Sequence, residues 1–426
     1  MTSQILAPGI QGVTRADVEA LSRDEPQWLR ERRLDAWRTY ETLDFPDPSD
    51  EEWRRTDVRS IAFDGVRPRA AQPEFSTDLP SGVVLIDLQR AVREHSDLVR
   101  RYLYANVRAD EWKYLALNAA LWSGGCFLYV PKGIELKVPV SELVTALGTG
   151  EALFPRTLII VDRGGKLVFV DEVESAAATG GSHSPSPALV SGAVELFIGD
   201  GAQVEYYNIN RWGDNVYNFN TVRATLGRDA QFTALAAGIG SKLTKMRIDT
   251  IMPEPGAHAQ LLGVTFGDGD QHFDYNTRQE HTGAHTVSDL QFKSALTDSS
   301  SLVWYGVTRI NQGASASEAN QTSRNLLLSE HAKAAPIPIL EIEAYDVAKC
   351  SHGATAGPVE ETELFYLESR GIPRDVAEHL LVEGFFASVI DRIPNEGLRA
   401  RVLDAVLDKA GGRAGALTFD EVLAAE

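Results

Sequence analysis

From about residue 14 to 125, apolar side chains recur at helical spacing among many charges. Leu34, Trp37 and Tyr40 lie three apart on one side of a helix that begins near Pro26, with Ser22-Arg23-Asp24-Glu25 reading as its capping box. Pro46, Pro48 and Ser49 interrupt this pattern, Asp87 to Tyr104 and Asp110 to Trp122 resume it, and Gly124-Gly125 ends it. From about 126 to 345 the texture changes. Short apolar runs such as Phe127-Leu128-Tyr129-Val130, Thr157 to Val161 and Leu167 to Val170 are separated by Gly, Asp and Asn, which predicts strands. A turn signal recurs at Gly201-Ala202, Asp229-Ala230, Gly256-Ala257 and Gly283-Ala284, with the alanines 28, 27 and 27 residues apart. Each turn leads into an alternating segment, from Gln203-Val204-Glu205-Tyr206 to His285-Thr286-Val287-Ser288, as a strand with one buried face requires. From about 355 the spacing is helical again. Pro358 opens a helix carrying Leu364, Phe365 and Leu367, Pro373 opens a second with Ala377, Leu381 and Phe385, and a third carries Leu398, Val402 and Val406 before Gly411-Gly412.

The pattern divides the chain into a mainly helical region over 1–125, a β core over 126–345 and a helical region over 346–426 that offers a partner-binding face. Short strands at a fixed period, with Gly or Asp at each corner, predict a β-solenoid or β-helix whose coils bury their inward side chains on their neighbours. A β-sandwich with evenly spaced hairpins is the alternative. The Gly/Ser/Pro-rich stretch from Ala176 to Pro187 reads as a flexible surface loop.

Composition narrows the function. With 41 Lys+Arg against 60 Asp+Glu the net charge is −19, which disfavours nucleic acid and attachment to anionic membranes. No window approaches the ~20 apolar residues of a membrane span, and the first ten residues do not have the form of a secretory signal. Two cysteines, Cys126 and Cys350, cannot build a disulfide framework or a four-cysteine zinc site, so a cytoplasmic protein is expected. No phosphate loop and no dinucleotide fingerprint occurs, so no ATP site of its own is expected. Gly313-Ala314-Ser315-Ala316-Ser317 lacks the second glycine of a nucleophile elbow.

Cys350-Ser351-His352 is the first chemical candidate. In an extended segment residues two apart share a face, so thiolate and imidazole converge, and both are ligands for iron or zinc. A cluster takes four protein ligands, more than this chain's cysteines supply. Either a metal is shared with another chain, completed by other residues or held transiently, or Cys350 is a small buried apolar residue and His352 a hydrogen-bonded loop residue. Cys126, between two glycines and an apolar strand, reads as core. His272, His281 and His285, near Asp274 and Glu280, form a second candidate; His281 and His285 could share one strand face, but polar residues on the solvent side of the repeat are the simpler reading. A β-helix enzyme acting on saccharides stays open as an alternative.

The entry to the third region is more specific. Leu340-Glu341-Ile342, Asp346-Val347 and Lys349-Cys350-Ser351-His352-Gly353-Ala354-Thr355, followed by Leu364-Phe365-Tyr366-Leu367 and Ser369-Arg370-Gly371-Ile372, resemble the signature of the SufB/SufD family of iron–sulfur cluster assembly proteins. Gln321, Asn325 to Ser329, His331-Ala332, Leu117-Asn118-Ala119, Gly125, Val130-Pro131 and Gly133 match as well, so the resemblance runs from about 115 to 392. Cys-Ser-His-Gly is similar to the SufD branch, whereas the Cys-Glu-His-Glu and the added N-terminal cysteine motif of SufB are absent. Ala348 adds a residue between Asp-Val and Lys-Cys, and such an insertion decides which strand face Cys350 and His352 occupy. The resemblance implies a right-handed parallel β-helix core flanked by N- and C-terminal helical regions. It implies a non-catalytic scaffold subunit that pairs with a SufB-like chain and docks a SufC-like ABC ATPase, or forms a homodimer when alone. Cys350 and His352 would then hold a transient iron–sulfur cluster shared with the partner, while Phe365, Tyr366, Arg370, Gly371 and Phe385 would face a partner. A purely structural subunit without cluster contact is the other reading within the family.

Overall fold

The computed structural model describes residues 10–411 apart from 60, 62, 65, 76–78, 146–149 and 176–186, so the loop expected from Ala176 lies outside the described residues except for Pro187. Helices α1 (Arg15–Leu21), α2 (Gln27–Thr42), α3 (Leu88–Glu94), α4 (Ser96–Tyr102) and α5 (Lys113–Leu121) precede the main β-region, and α6 (Glu361–Ser369), α7 (Arg374–Ile390) and α8 (Glu396–Lys409) follow it. The capping box sits at Thr14 and Asp17, at the start of α1, not at Ser22. Ser22 is instead buried at the end of α1, where its hydroxyl donates to the Val18 carbonyl at 2.8 Å. The long helix predicted from Asp87 is two helices that meet at His95.

Between the helical regions the chain winds into a parallel β-solenoid of about seven turns with two walls. One wall runs from Val140–Thr145 through Lys166–Glu174, Gln203–Arg211, Gln231–Gly238, His258–Gly267, Val287–Leu296 and Glu318–Leu327 to Lys349–Pro358. The other runs from Cys126–Val130 through Arg156–Val161, Ala188–Ile198, Val216–Leu226, Leu243–Met252, His272–His281 and Ser301–Ile310 to Lys333–Ile342. Inward positions alternate as the pattern predicts, stacking Val204, Tyr206, Phe232, Leu261, Phe273 and Tyr275 in one core. The coils lengthen toward the C-terminus. Strands of the first wall start at Gln203, Gln231, His258, Val287, Glu318 and Lys349, so the step rises from 28 and 27 residues to 31 and the sequence repeat fades after Gly283.

The outward faces are also covered. Tyr207, Ile209, Leu235, Leu262 and Val264 on the first wall pack under Val382, Phe386, Val389 and Ile390 of α7 and Val402 and Val406 of α8. Leu158, Ile160, Leu189 and Phe219 on the second wall lie under the N-terminal helices, and α5 is buried at all nine positions. Burial on both faces explains the near-continuous apolar runs in the middle strands. Among the described residues no helix is long and apolar enough to cross a membrane.

The two ends of the solenoid differ. At the N-terminal end Glu74–Phe75 and Val84–Asp87 pair antiparallel with the first strands and cover their edges. At the C-terminal end the β-region continues past residue 345 to Pro358, where the sequence reading placed a helical region. That last strand was illegible because Cys350 to Gly357 is made of small and polar residues, with no coil beyond it to bury an alternating face.

Candidate functional site

Cys350 and His352 lie on this final strand. It pairs in unbroken parallel register with Glu318–Leu327, Cys350 opposite Ala319 and His352 opposite Gln321. Ala319 and Gln321 are buried inward residues, so Cys350 and His352 share the inward phase and sit over the open mouth of the solenoid. The extra Ala348 is absorbed before the strand begins: the amides of Ala348 and Lys349 both reach the Ser317 carbonyl, at 3.0 and 3.4 Å. The insertion therefore leaves both side chains in the inward phase of the wall.

Their environments differ. Cys350 is half-buried beside Ile310, Ala314, Ala319, Ala344 and Val347, and burial pushes its thiol up from the ordinary value. His352 is exposed. Ser351 points the other way, donating to Asn320 Oδ1 at 2.8 Å. Among the described residues no three His, Cys, Asp or Glu side chains converge to hold a metal ion.

The backbone edges at this mouth are unequal. Lys333 and Glu343 donate backward to Ser300 and Ile310, so odd positions of Lys333–Ile342 face the preceding coil and even ones face the open edge. Pro336 and Pro338 fall on the open side and remove donors there. In Lys349–Pro358 the same alternation turns the N–H and C=O groups of Cys350, His352, Ala354 and Ala356 outward, with no proline among them. One edge is blunted and the other is ready to pair. Ile342, at the end of the first of these strands, is 47% exposed, and Tyr345, between them, is 94% exposed, a large aromatic residue that the sequence reading did not single out.

The C-terminal candidates separate into two groups. Phe365 and Tyr366 on α6 are 71% and 57% exposed, and the Arg370 guanidinium lies 5.2 Å from the Tyr366 ring centre. Gly371 is exposed in the turn after α6 with φ of +86°, a conformation that suits glycine. Phe385 is half-buried: it packs on the solenoid, and the Lys293 ammonium both donates to its carbonyl and lies 4.4 Å over its ring. It belongs to the seam between α7 and the first wall.

The histidines do not form a cluster on the solvent side. His281 is fully buried, bonded to the hydroxyls of Thr286 and Ser288 at 2.8 Å each, and burial lowers its pKa to about 4. His285 is in a turn with φ of +56°, off the strand that ends at His281. His272 contacts Thr56 and Ser301 at 2.8 Å, tying the N-terminal region to the second wall. Cys126 is fully buried, and burial drives its thiol well up.

Comparison with known proteins adds to this geometry. Residues 144–385 match the SUF system FeS cluster assembly, SufBD core domain, and residues 69–141 match the SufBD protein N-terminal region. The iron–sulfur cluster assembly protein SufD of Bacillus subtilis is 29% identical over 418 residues, covering 90% of this chain and 94% of that protein. SufB of the same organism is 27% identical over 434 residues, covering 91% and 90%. An iron–sulfur cluster assembly SufBD family protein of Staphylococcus saprophyticus is 31% identical over 315 residues, covering 74% and 66%.

Proposed function

The chain belongs to the SufBD family of SUF-system iron–sulfur cluster assembly proteins, and from that premise we propose that it is a SufD-like scaffold subunit, without catalysis of its own, that pairs with a SufB-like chain at the open end of its solenoid. The observation that carries this reading is the final strand, which presents an unpaired backbone edge and the Cys350–His352 pair at the same mouth. A partner strand added there would place its own ligands beside these two. The cluster is the cargo, and two ligands from this chain leave room for the rest to come from the partner. In the isolated chain burial keeps the Cys350 thiol protonated near neutral pH, so binding iron must displace its proton, as coordination of a thiol does. His352, exposed beside it, supplies a ring nitrogen.

A SufC-like ABC ATPase would dock on α6 through Phe365, Tyr366 and Arg370. From there α6 leans on α7, and α7 grips the first wall through Phe386 and Val389, with the Arg392–Asp289 ion pair in the turn just after it. Asp289 lies two strands from the final one, so movement of the docked ATPase reaches the mouth through packed elements as a rigid-body displacement. The test is cluster reconstitution with co-expressed partners. Cys350→Ala combined with His352→Ala should leave the complex assembled and cut cluster yield at least tenfold. An unchanged yield would make the chain a structural partner only.

A further inference from the structure

Near the N-terminal end of the solenoid, a cavity of about 30 Å3 is lined by Glu142, Thr157, Asp171, Gly192, Asn208 and Asn220, among other residues. Glu142 and Asp171 are partners in register on adjacent strands of the first wall, and they are 2% and 8% exposed. Side chains so paired stack about 4.8 Å apart, which sets two carboxyl groups side by side out of water. Tyr206 and Asn208 both donate to Oδ2 of Asp171, at 2.5 and 3.0 Å. Thr157 donates to Oε2 of Glu142 at 3.2 Å. Among the described residues no lysine or arginine forms an ion pair with either carboxylate. Burial, reinforced by the neighbouring Asp171, pushes Glu142 well up from the ordinary carboxylate range, and burial raises Asp171.

Two oxygens at this cavity have no partner. Glu142 Oε1 and Asn220 Oδ1 are buried and accept no hydrogen bond. Space for the amide is kept by Gly192, where a Cβ would come within 2.8 Å of Asn220 Oδ1. Unpaired buried carboxyl and amide oxygens are costly unless a hydrogen-bond donor or a cation meets them. The volume suits one ion with a water or two, and the donors are all oxygen, the ligand set of hard cations.

We propose that this cavity binds one hard divalent cation, of the magnesium, manganese or calcium class, through Glu142 Oε1, the Asp171 carboxylate and Asn220 Oδ1. The ion supplies the counter-charge that the surrounding side chains do not, and it joins the two walls where the solenoid begins. The site lies inside the first coils, separate from the mouth that carries Cys350.

The test uses the full chain, stripped with chelator and titrated with Mn2+ alone, with free Mn2+ followed by electron paramagnetic resonance. The wild-type chain should bind one Mn2+ tightly and show a rise in Tm on loading. Glu142→Gln and Asp171→Asn should each weaken that binding at least tenfold, and Asn220→Ala, at a more exposed position, should weaken it several-fold. Absence of a stoichiometric Mn2+ in the wild-type chain overturns the proposal, whether or not the variants fold. So does a folded Glu142→Gln, Asp171→Asn or Asn220→Ala chain that binds as tightly as wild type.

Discussion

At the scale of single residues, the chemistry follows from what surrounds each side chain. Cys350 and His352 lie two apart and share a face, yet one thiol is raised by burial while the neighbouring imidazole is exposed. His281 is the reverse case, an imidazole held neutral between two hydroxyls inside the solenoid. Its folded pKa of about 4 lies below the ordinary value of 6.5. The folded chain therefore binds fewer protons than the unfolded one in that interval. Stability from His281 is complete above pH 6.5 and declines as pH falls toward 4. The loss is at most about 3 kcal/mol. Urea denaturation of wild type and His281→Gln between these pH values should show a shallower pH dependence in the variant. Equal slopes would place the acid sensitivity in other groups.

At the scale of elements, the final strand has an open edge without the prolines that blunt its neighbour Lys333–Ile342, and α6 has an exposed aromatic face. A proline at Ala354 removes an N–H that faces the open edge, so Ala354→Pro should leave the chain folded and lower its affinity for a SufB-like partner at least tenfold. Gly353→Pro removes an N–H that faces Glu318–Leu327, and it should destabilise the last coil itself. Analytical ultracentrifugation with thermal melts separates the two outcomes, and equal pairing by wild type and Ala354→Pro would remove this edge from the interface. On α6, Phe365→Ala with Tyr366→Ala takes away exposed aromatic surface and no core packing. It should abolish co-purification of a SufC-like ATPase without changing Tm. Phe385→Ala should do the opposite, since Phe385 is spent on the seam with Lys293. The sequence reading grouped Phe385 with Phe365 as partner-facing from the family resemblance, on a helix whose spacing alone shows only that one side is apolar. That spacing could not say that the solenoid would take the face carrying Phe385.

At the scale of the whole molecule, each helical region is clamped to its own wall. The N-terminal clamp is a buried ion pair: Arg156 meets Glu195 at 2.6 Å with both side chains almost fully enclosed. Glu195 also accepts the amides of Tyr104, Asn106 and Val107, while Arg156 donates to Asn118 Oδ1 and the Val107 carbonyl. Glu195→Ala leaves a buried guanidinium without its counter-charge and three amides without an acceptor. The expected cost is about 3–5 kcal/mol, read as a lower unfolding free energy, and a change under about 1 kcal/mol would mean that the pair is solvated in solution.

The sequence alone determined the order of helices, solenoid and helices, the alternation that fills the core, and the Cys350–Ser351–His352 motif that carries the family resemblance. These are short-range facts: a strand shows its buried face every second residue and a helix every third or fourth, whatever the rest of the chain does. Only the tertiary structure decided which coil lies on which. Stacking register brought Glu142 beside Asp171, put His281 inside rather than outside, and absorbed Ala348 before the last strand. Turns of different length separate those partners along the chain, so no local period records the pairing. Side chains meet through the hydrogen-bond ladder between coils, and that ladder exists only once the chain has wound.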